Sequence, residues 1–131
     1  MDNKKKSNYD NKRYKILVVE DESTSHDLFS IVTKPISKEI FHAISGKEAI
    51  AICKQNPDID LIIMDIQLPI IDGYEATREI RKFNKNVKII AQTAYNTANY
   101  HDKAIEAGCN KAITKPVIID DLMDMIKELL D

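Results

Sequence analysis

Leu61-Ile62-Ile63-Met64-Asp65-Ile66-Gln67-Leu68-Pro69 is the stretch that decides the fold of this chain. Its first four residues are apolar, as a short strand buried on both faces of a parallel sheet requires. A carboxylate, Asp65, follows directly. The stretch therefore predicts a central strand that carries a charged side chain to the end of the sheet, beside other strand ends.

Short apolar runs on either side of this stretch indicate four further strands. Residues 16–19 and 87–91 are mostly apolar and predict two more central strands. The runs at residues 40–43 and 112–114 are shorter and more mixed, as expected for strands with one side open to solvent. We therefore expect three central and two edge strands.

Helical patterns separate the predicted strands. Ser45 and Glu48 form an S-x-x-E capping box that predicts a helix start, and Pro57 marks its end. The last helix carries an apolar stripe: Ile119, Leu122, Met123, Ile126, Leu129 and Leu130. Strand and helix alternate five times with short connections. This favours an α/β fold, a doubly wound five-stranded parallel sheet with helices on both faces.

Size and composition favour one domain at residues 14–131. The 131 residues are 44% apolar, and the net charge of -2 gives no overall field for nucleic acid or anionic membranes. Residues 1–13 are polar without apolar periodicity and predict a disordered tail or linker rather than a basic nucleic-acid arm. No apolar run could span a bilayer or form a signal peptide, so we expect a cytoplasmic location.

The cysteines and histidines show no metal-binding pattern. Cys53 and Cys109 lie far apart without a C-x-x-C motif, and the three histidines lack ligand spacing. We expect two reduced, half-buried thiols and no zinc or redox site.

Polar side chains follow the predicted strands where each strand ends. Glu20 and Asp21 follow the first strand, Asp65 the third, Thr93 the fourth and Lys115 the fifth. Parallel strands bring these ends to one edge of the sheet, where ligands bind in open α/β folds. Any one of these residues alone also suits a helix cap, a turn hydroxyl or a solvated charge. Their combination at one edge favours a site.

The chemistry of this predicted cluster favours a hard cation. Carboxylates at close range repel one another unless a cation offsets their charge, and an oxygen-only set selects Mg²⁺. A phosphoryl group at Asp65 would add negative charge that Mg²⁺, Lys115 and the Thr93 hydroxyl can contact. The residues therefore predict a nucleophilic Asp65 that forms an aspartyl phosphate.

At these residues the sequence resembles the receiver domains of two-component response regulators. The resemblance is carried by the following motifs, in order: Leu17-Val18-Val19-Glu20-Asp21-Glu22, Met64-Asp65-Ile66-Gln67-Leu68-Pro69, Asp72-Gly73, Thr93-Ala94 and Lys115-Pro116. It covers the chain from about Tyr14 to the C-terminus and implies the flavodoxin-like strand order 2-1-3-4-5.

The resemblance also implies the roles of the metal-site residues. Asp65 becomes the phosphoacceptor. Glu20 and Asp21 become the acidic pair, with Asp21 a direct Mg²⁺ ligand, and the backbone carbonyl of Gln67 becomes another ligand.

The resemblance further implies a switch hydroxyl at Thr93, a phosphate-contacting lysine at Lys115, and a phosphohistidine donor on a histidine kinase or histidine phosphotransfer domain. It implies a signalling phosphoacceptor that promotes its own phosphorylation and dephosphorylation, not an enzyme in the usual sense. Residues 91–95 and 107–116 look most like receivers of hybrid sensor histidine kinases, although a stand-alone regulator fits equally well. We expect no nucleic acid and no direct membrane insertion for this domain, and the oligomeric state is left open.

Three alternative functions fit the sequence less well. A haloacid-dehalogenase-type phosphatase needs a second acid where Gln67 stands, and a nucleotide-binding flavodoxin-like or P-loop domain needs clustered glycines, which this chain lacks. A receiver-like interaction module without phosphorylation would have lost pocket residues, and here all are present.

Three finer expectations follow from the resemblance. Receivers commonly have a cis bond at the position of Lys115-Pro116, so we expect one here. A phosphotransfer helix would dock near Ser25, His26 and Ile118. Ala112 replaces the aromatic residue that commonly moves with the switch hydroxyl, which predicts a weaker switch on the fifth strand unless Tyr95 or Tyr100 fills the space.

Overall fold

Strands and helices alternate along the whole of the described chain. The computed structural model describes residues 12–95 and 97–131. The strands are β1 (Tyr14–Val19), β2 (Ser37–Ala43), β3 (Leu61–Asp65), β4 (Lys88–Thr93) and β5 (Lys111–Thr114). The helices are α1 (Ser23–Thr33), α2 (Gly46–Gln55), α3 (Gly73–Arg81), α4 (Tyr100–Ala107) and α5 (Ile119–Leu130), and a 3₁₀ turn covers Lys34–Ile36.

The five strands form one parallel sheet in the order β2-β1-β3-β4-β5, which confirms the predicted topology. Every residue of β3 is buried, whereas β2 is largely half-exposed, as predicted for a central and an edge strand. The fourth strand runs two residues further than the predicted 87–91, so Thr93 lies in the last position of β4 rather than beyond it.

The core lies on both faces of the sheet because side chains alternate along each strand. On one face, Leu17 and Val19 pack with apolar residues of α2, α3 and α4. On the other face, Ile16 and Val18 pack with α1 and α5, whose buried contributions include Leu122. Helices therefore cover both faces, and burial of each large apolar side chain contributes about 1.5–3 kcal/mol.

The predicted start of α2 is confirmed. The Ser45 hydroxyl accepts a hydrogen bond from the Glu48 N–H at 3.1 Å, and the Glu48 carboxylate accepts one from the Ile44 N–H at 2.9 Å. The acid thus reaches one residue further back than in the usual capping box.

The two cysteines are fully buried, and the expectation of half-buried thiols was wrong. Cys53 is 1% exposed and Cys109 is 4% exposed, because each side chain points into the core beneath the helices. Burial raises the pKa of both thiols to about 11.

The beginning of β1 and the end of α5 are neighbours. The Tyr14 hydroxyl donates a long hydrogen bond of 3.5 Å to the carbonyl oxygen of Leu130. Residues 1–11 of the segment that we predicted to be a disordered tail lie outside the described residues. Within the described ranges, no helix combines the length and apolar character needed to cross a bilayer.

Candidate functional site

Three carboxylates lie together at the carboxyl ends of the central strands. Glu20 follows β1 and Asp65 ends β3, and both residues are buried, whereas the neighbouring Asp21 is exposed. One oxygen of each side chain lies within 4.8 Å of an oxygen of the other two. The structure therefore brings together the acidic residues that the sequence predicted, in an oxygen-only set that suits a hard divalent cation.

The electrostatics of this cluster favour an added positive charge. Burial, and after it the repulsion from the nearby Asp65 carboxylate, raise the pKa of Glu20 to about 7, although Lys115 opposes both effects. The two buried carboxylates therefore face one lysine, and a divalent cation would offset the repulsion that remains. The donor set fits Mg²⁺ on these grounds.

Lys115 reaches this cluster from the end of β5. Its Nζ lies 3.3 Å from Asp65 Oδ1 and 4.0 Å from Glu20 Oε2. The Lys115 N–H also donates to the carbonyl oxygen of Thr93 at 2.8 Å, which fixes the backbone beside β4. The Lys115-Pro116 bond is cis, as predicted.

Gln92 is a site residue that the sequence reasoning missed. Its Nε2 donates a buried hydrogen bond of 2.8 Å to Glu20 Oε2, near the carboxyl ends of the strands. A signal was available, because an amide directly after the apolar run of a central strand is readily buried and then needs a hydrogen-bond partner. The partner is the carboxylate at the end of β1, two strands away in the sheet.

Thr93 is held by the loop that follows β3. Its Oγ1 accepts hydrogen bonds from Gln67 Nε2 at 2.7 Å and from the Tyr95 N–H at 3.1 Å. Gln67 Oε1 in turn accepts from the Ala94 N–H at 2.8 Å, and the Gln67 N–H donates to Asp65 Oδ1 at 3.0 Å. The Gln67 side chain therefore has contacts that the sequence did not predict, while the role of its carbonyl as a metal ligand stays a prediction.

The loop between β3 and α3 comes very close to Asp65. A Cβ at Gly73 would lie 2.4 Å from the Asp65 carbonyl oxygen and 2.7 Å from the Ile66 Cα, so only glycine fits there. Asp72 caps α3 by accepting from the Glu75 N–H at 2.9 Å. The Asp72-Gly73 pair thus sets the close approach of α3 to Asp65.

The three residues predicted to form a docking surface differ in exposure. Ile118 is 61% exposed. Ser25 and His26 are half-buried. The Ser25 hydroxyl donates to Glu22, and the His26 ring stacks on His42 with centroids 3.3 Å apart. Of the three, Ile118 alone offers a large apolar side chain to a partner.

Ala112 of β5 lies in a core cluster that a tyrosine of α4 joins. Ala112 is buried opposite Ala91 of β4, in the core cluster against which Tyr100 of α4 packs. Tyr95, by contrast, is 64% exposed. Of the two tyrosines considered as substitutes for an aromatic residue on β5, Tyr100 is therefore the one that contacts this cluster.

Comparisons with known proteins identify a family for this chain. The family model of the response regulator receiver domain matches residues 16–127. The chain is 35% identical to the chemotaxis protein CheY of Halobacterium salinarum, covering 88% of this chain and 95% of the relative. It is 39% identical to hybrid signal transduction histidine kinase G of Dictyostelium discoideum, covering 86% of this chain but only 3% of that kinase.

A solved complex supplies a structural relative. The fold is similar to that of a chain in the co-crystal structure of the Saccharomyces cerevisiae histidine phosphotransfer signalling protein Ypd1 with the receiver domain of its downstream response regulator Ssk1. The TM-score is 0.82 at 32% identity, and the match covers 90% of this chain and 89% of that chain.

Proposed function

Because the chain belongs to the response regulator receiver domain family of two-component signalling, we propose that it accepts a phosphoryl group on Asp65. The observation that carries the proposal is the placement of Lys115 Nζ 3.3 Å from the Asp65 carboxylate, beside two further acids at one sheet edge. A buried carboxylate with a lysine and a metal-binding set is suited to hold a phosphoryl group.

Mg²⁺ is the proposed cofactor. Asp21 and Asp65 would be carboxylate ligands, the Gln67 carbonyl would supply a further oxygen, and Glu20 would complete the acidic pair. When bound, Mg²⁺ neutralises the charge that accumulates on the phosphoryl oxygens. The fit rests on the donor set, which contains oxygen atoms only.

In the proposed transfer, an Asp65 carboxylate oxygen attacks phosphorus and the phosphorus–nitrogen bond of the donor phosphohistidine breaks. The bonding electron pair returns to the imidazole nitrogen of the donor, which can then take a proton from solvent. Lys115 would contact a phosphoryl oxygen, and the Thr93 hydroxyl would donate to another. Positioning and charge, with no general base, would promote the step.

The proposed donor is a histidine kinase or a histidine phosphotransfer protein, in keeping with the similarity to a receiver solved with such a protein. Residues 14–131 would form the receiver domain. The donor would dock over Asp65, close to the exposed Ile118. Activities of complete hybrid kinases are not implied, because the chain spans only 3% of one such relative.

Intact-mass measurement tests the proposal. The protein and its Asp65→Asn variant are incubated with a small phosphodonor such as acetyl phosphate, with and without Mg²⁺. We expect the parent protein to gain one phosphoryl group only with Mg²⁺, and the variant to gain none. Equal modification of both proteins would refute Asp65 as the acceptor. No modification of a folded parent protein would favour the rival function, a receiver-like interaction module without phosphorylation.

A further inference from the structure

We infer that the side chain of Gln67 is a positioning residue that holds the Thr93 hydroxyl in its unphosphorylated position, an inference that rests on the proposed function. Gln67 follows Asp65 by two residues and reaches from the loop after β3 to the end of β4. Both polar ends of its amide are engaged across that gap.

The hydrogen bonds around Thr93 leave its oxygen fully occupied. Thr93 Oγ1 accepts from Gln67 Nε2 at 2.7 Å and from the Tyr95 N–H at 3.1 Å, so both of its lone pairs are used. Thr93 is buried, and across residues 12–95 and 97–131 no hydrogen bond joins its hydroxyl to Asp65 or Lys115. The Thr93 hydroxyl can therefore still donate its proton in a hydrogen bond to a phosphoryl oxygen.

A phosphoryl group on Asp65 that accepts this proton would draw Thr93 away from Gln67. If Thr93 moves toward that group, its hydrogen bond from Gln67 is strained or lost, and the bond between Gln67 and Ala94 is disturbed with it. Gln67 thereby connects the residues next to Asp65 with the beginning of the loop after β4. One hydrogen bond of this kind changes the balance between the two positions by roughly two- to tenfold.

Gln67→Met tests this role, because methionine has similar length and lacks both hydrogen-bonding groups. In the metal-free protein we expect the Ala94 amide to exchange roughly two- to tenfold faster. With Mg²⁺ present, the affinity for beryllofluoride, an anion that mimics a phosphoryl group on a carboxylate, should rise by a similar factor. The matched control is Gln55→Met at the exposed end of α2, which should change neither quantity.

A double-mutant comparison separates this role from a general structural one. In a Thr93→Val background, which lacks the hydroxyl, Gln67→Met should leave beryllofluoride affinity unchanged. The same increase in both backgrounds would overturn the inference, as would unchanged or weaker affinity of Gln67→Met alone. Failure of the parent protein to bind beryllofluoride with Mg²⁺ would instead refute the proposed function, and the inference with it.

Discussion

Gln92, near the end of β4, donates a buried hydrogen bond of 2.8 Å to Glu20, which directly follows β1. The other Glu20 oxygen accepts a weaker bond of 3.3 Å from the Glu22 N–H. A buried carboxylate without donors is costly, so these contacts fix the orientation of Glu20 beside Asp65. The amide of Gln92 thus supports the acidic cluster without belonging to it.

Replacing Gln92 by leucine should weaken the proposed metal site. We expect Gln92→Leu to lower the free energy of unfolding by about 1–3 kcal/mol, because Glu20 loses its shortest hydrogen bond. Mg²⁺ affinity should fall as well, since the carboxylate is less firmly held. Denaturant titrations with and without Mg²⁺ measure both effects, and a variant with parental Mg²⁺ affinity would show that Gln92 has only a structural role.

Asp21→Ala should weaken Mg²⁺ binding without lowering the stability of the metal-free protein. Asp21 is exposed and belongs to the acidic cluster, so its removal relieves repulsion while it deletes a proposed ligand. We expect a metal-free melting temperature equal to or above that of the parent. Added Mg²⁺ should raise the parent's melting temperature by mass action but have a much smaller effect on the variant. Equal Mg²⁺ affinities would remove Asp21 from the site.

Phosphorylation should reorganise the loop after β4 more than the face at Ala112. Ala112 is packed against the cluster that Tyr100 joins, and a methyl group leaves little bulk to move on β5. With beryllofluoride and Mg²⁺, we expect larger amide shift changes at Ala94 and Tyr95 than across Lys111–Thr114. Ala112→Tyr adds bulk at a buried position and should cost about 1–3 kcal/mol of stability. Large and equal changes in both regions of both proteins would contradict the weak-switch interpretation.

The two thiols should be unreactive in the folded protein. Burial raises the pKa of Cys53 and Cys109 to about 11, so neither ionises near the ordinary thiol pKa of about 8.5. We expect very slow alkylation at about that pH without denaturant and rapid alkylation with it. Above that pH the unfolded chain loses thiol protons first, so these groups lower stability as pH rises. Fast labelling of the native protein would contradict the observed burial.

The parallel sheet and the position of the acidic cluster were predictable because they depend on strong local patterns, whereas the strand order was implied by the resemblance to receiver domains. The apolar run before Asp65 indicates a buried strand, and parallel strand ends meet at one edge. The amide contacts of Gln67 and Gln92 were not predictable in the same way. Their partners lie far away in the sequence, and hydrogen bonds between side chains leave no periodic signal. The depth of Cys53 likewise depends on the packing of α2, which its periodicity alone does not measure.

The closeness of Tyr14 and Leu130 has a consequence for how such a domain can be combined with others. The strands run from that end of the molecule toward Asp65, and α5 returns from Lys115. The start of β1 and the end of α5 therefore both lie at the end of the molecule opposite the acidic cluster. Covalent attachments at either end would leave Asp65, the proposed phosphoacceptor, accessible to a donor protein. This arrangement of the two ends is compatible with the different sizes of the relatives. The matched region makes up 95% of a chemotaxis protein but only 3% of a hybrid histidine kinase.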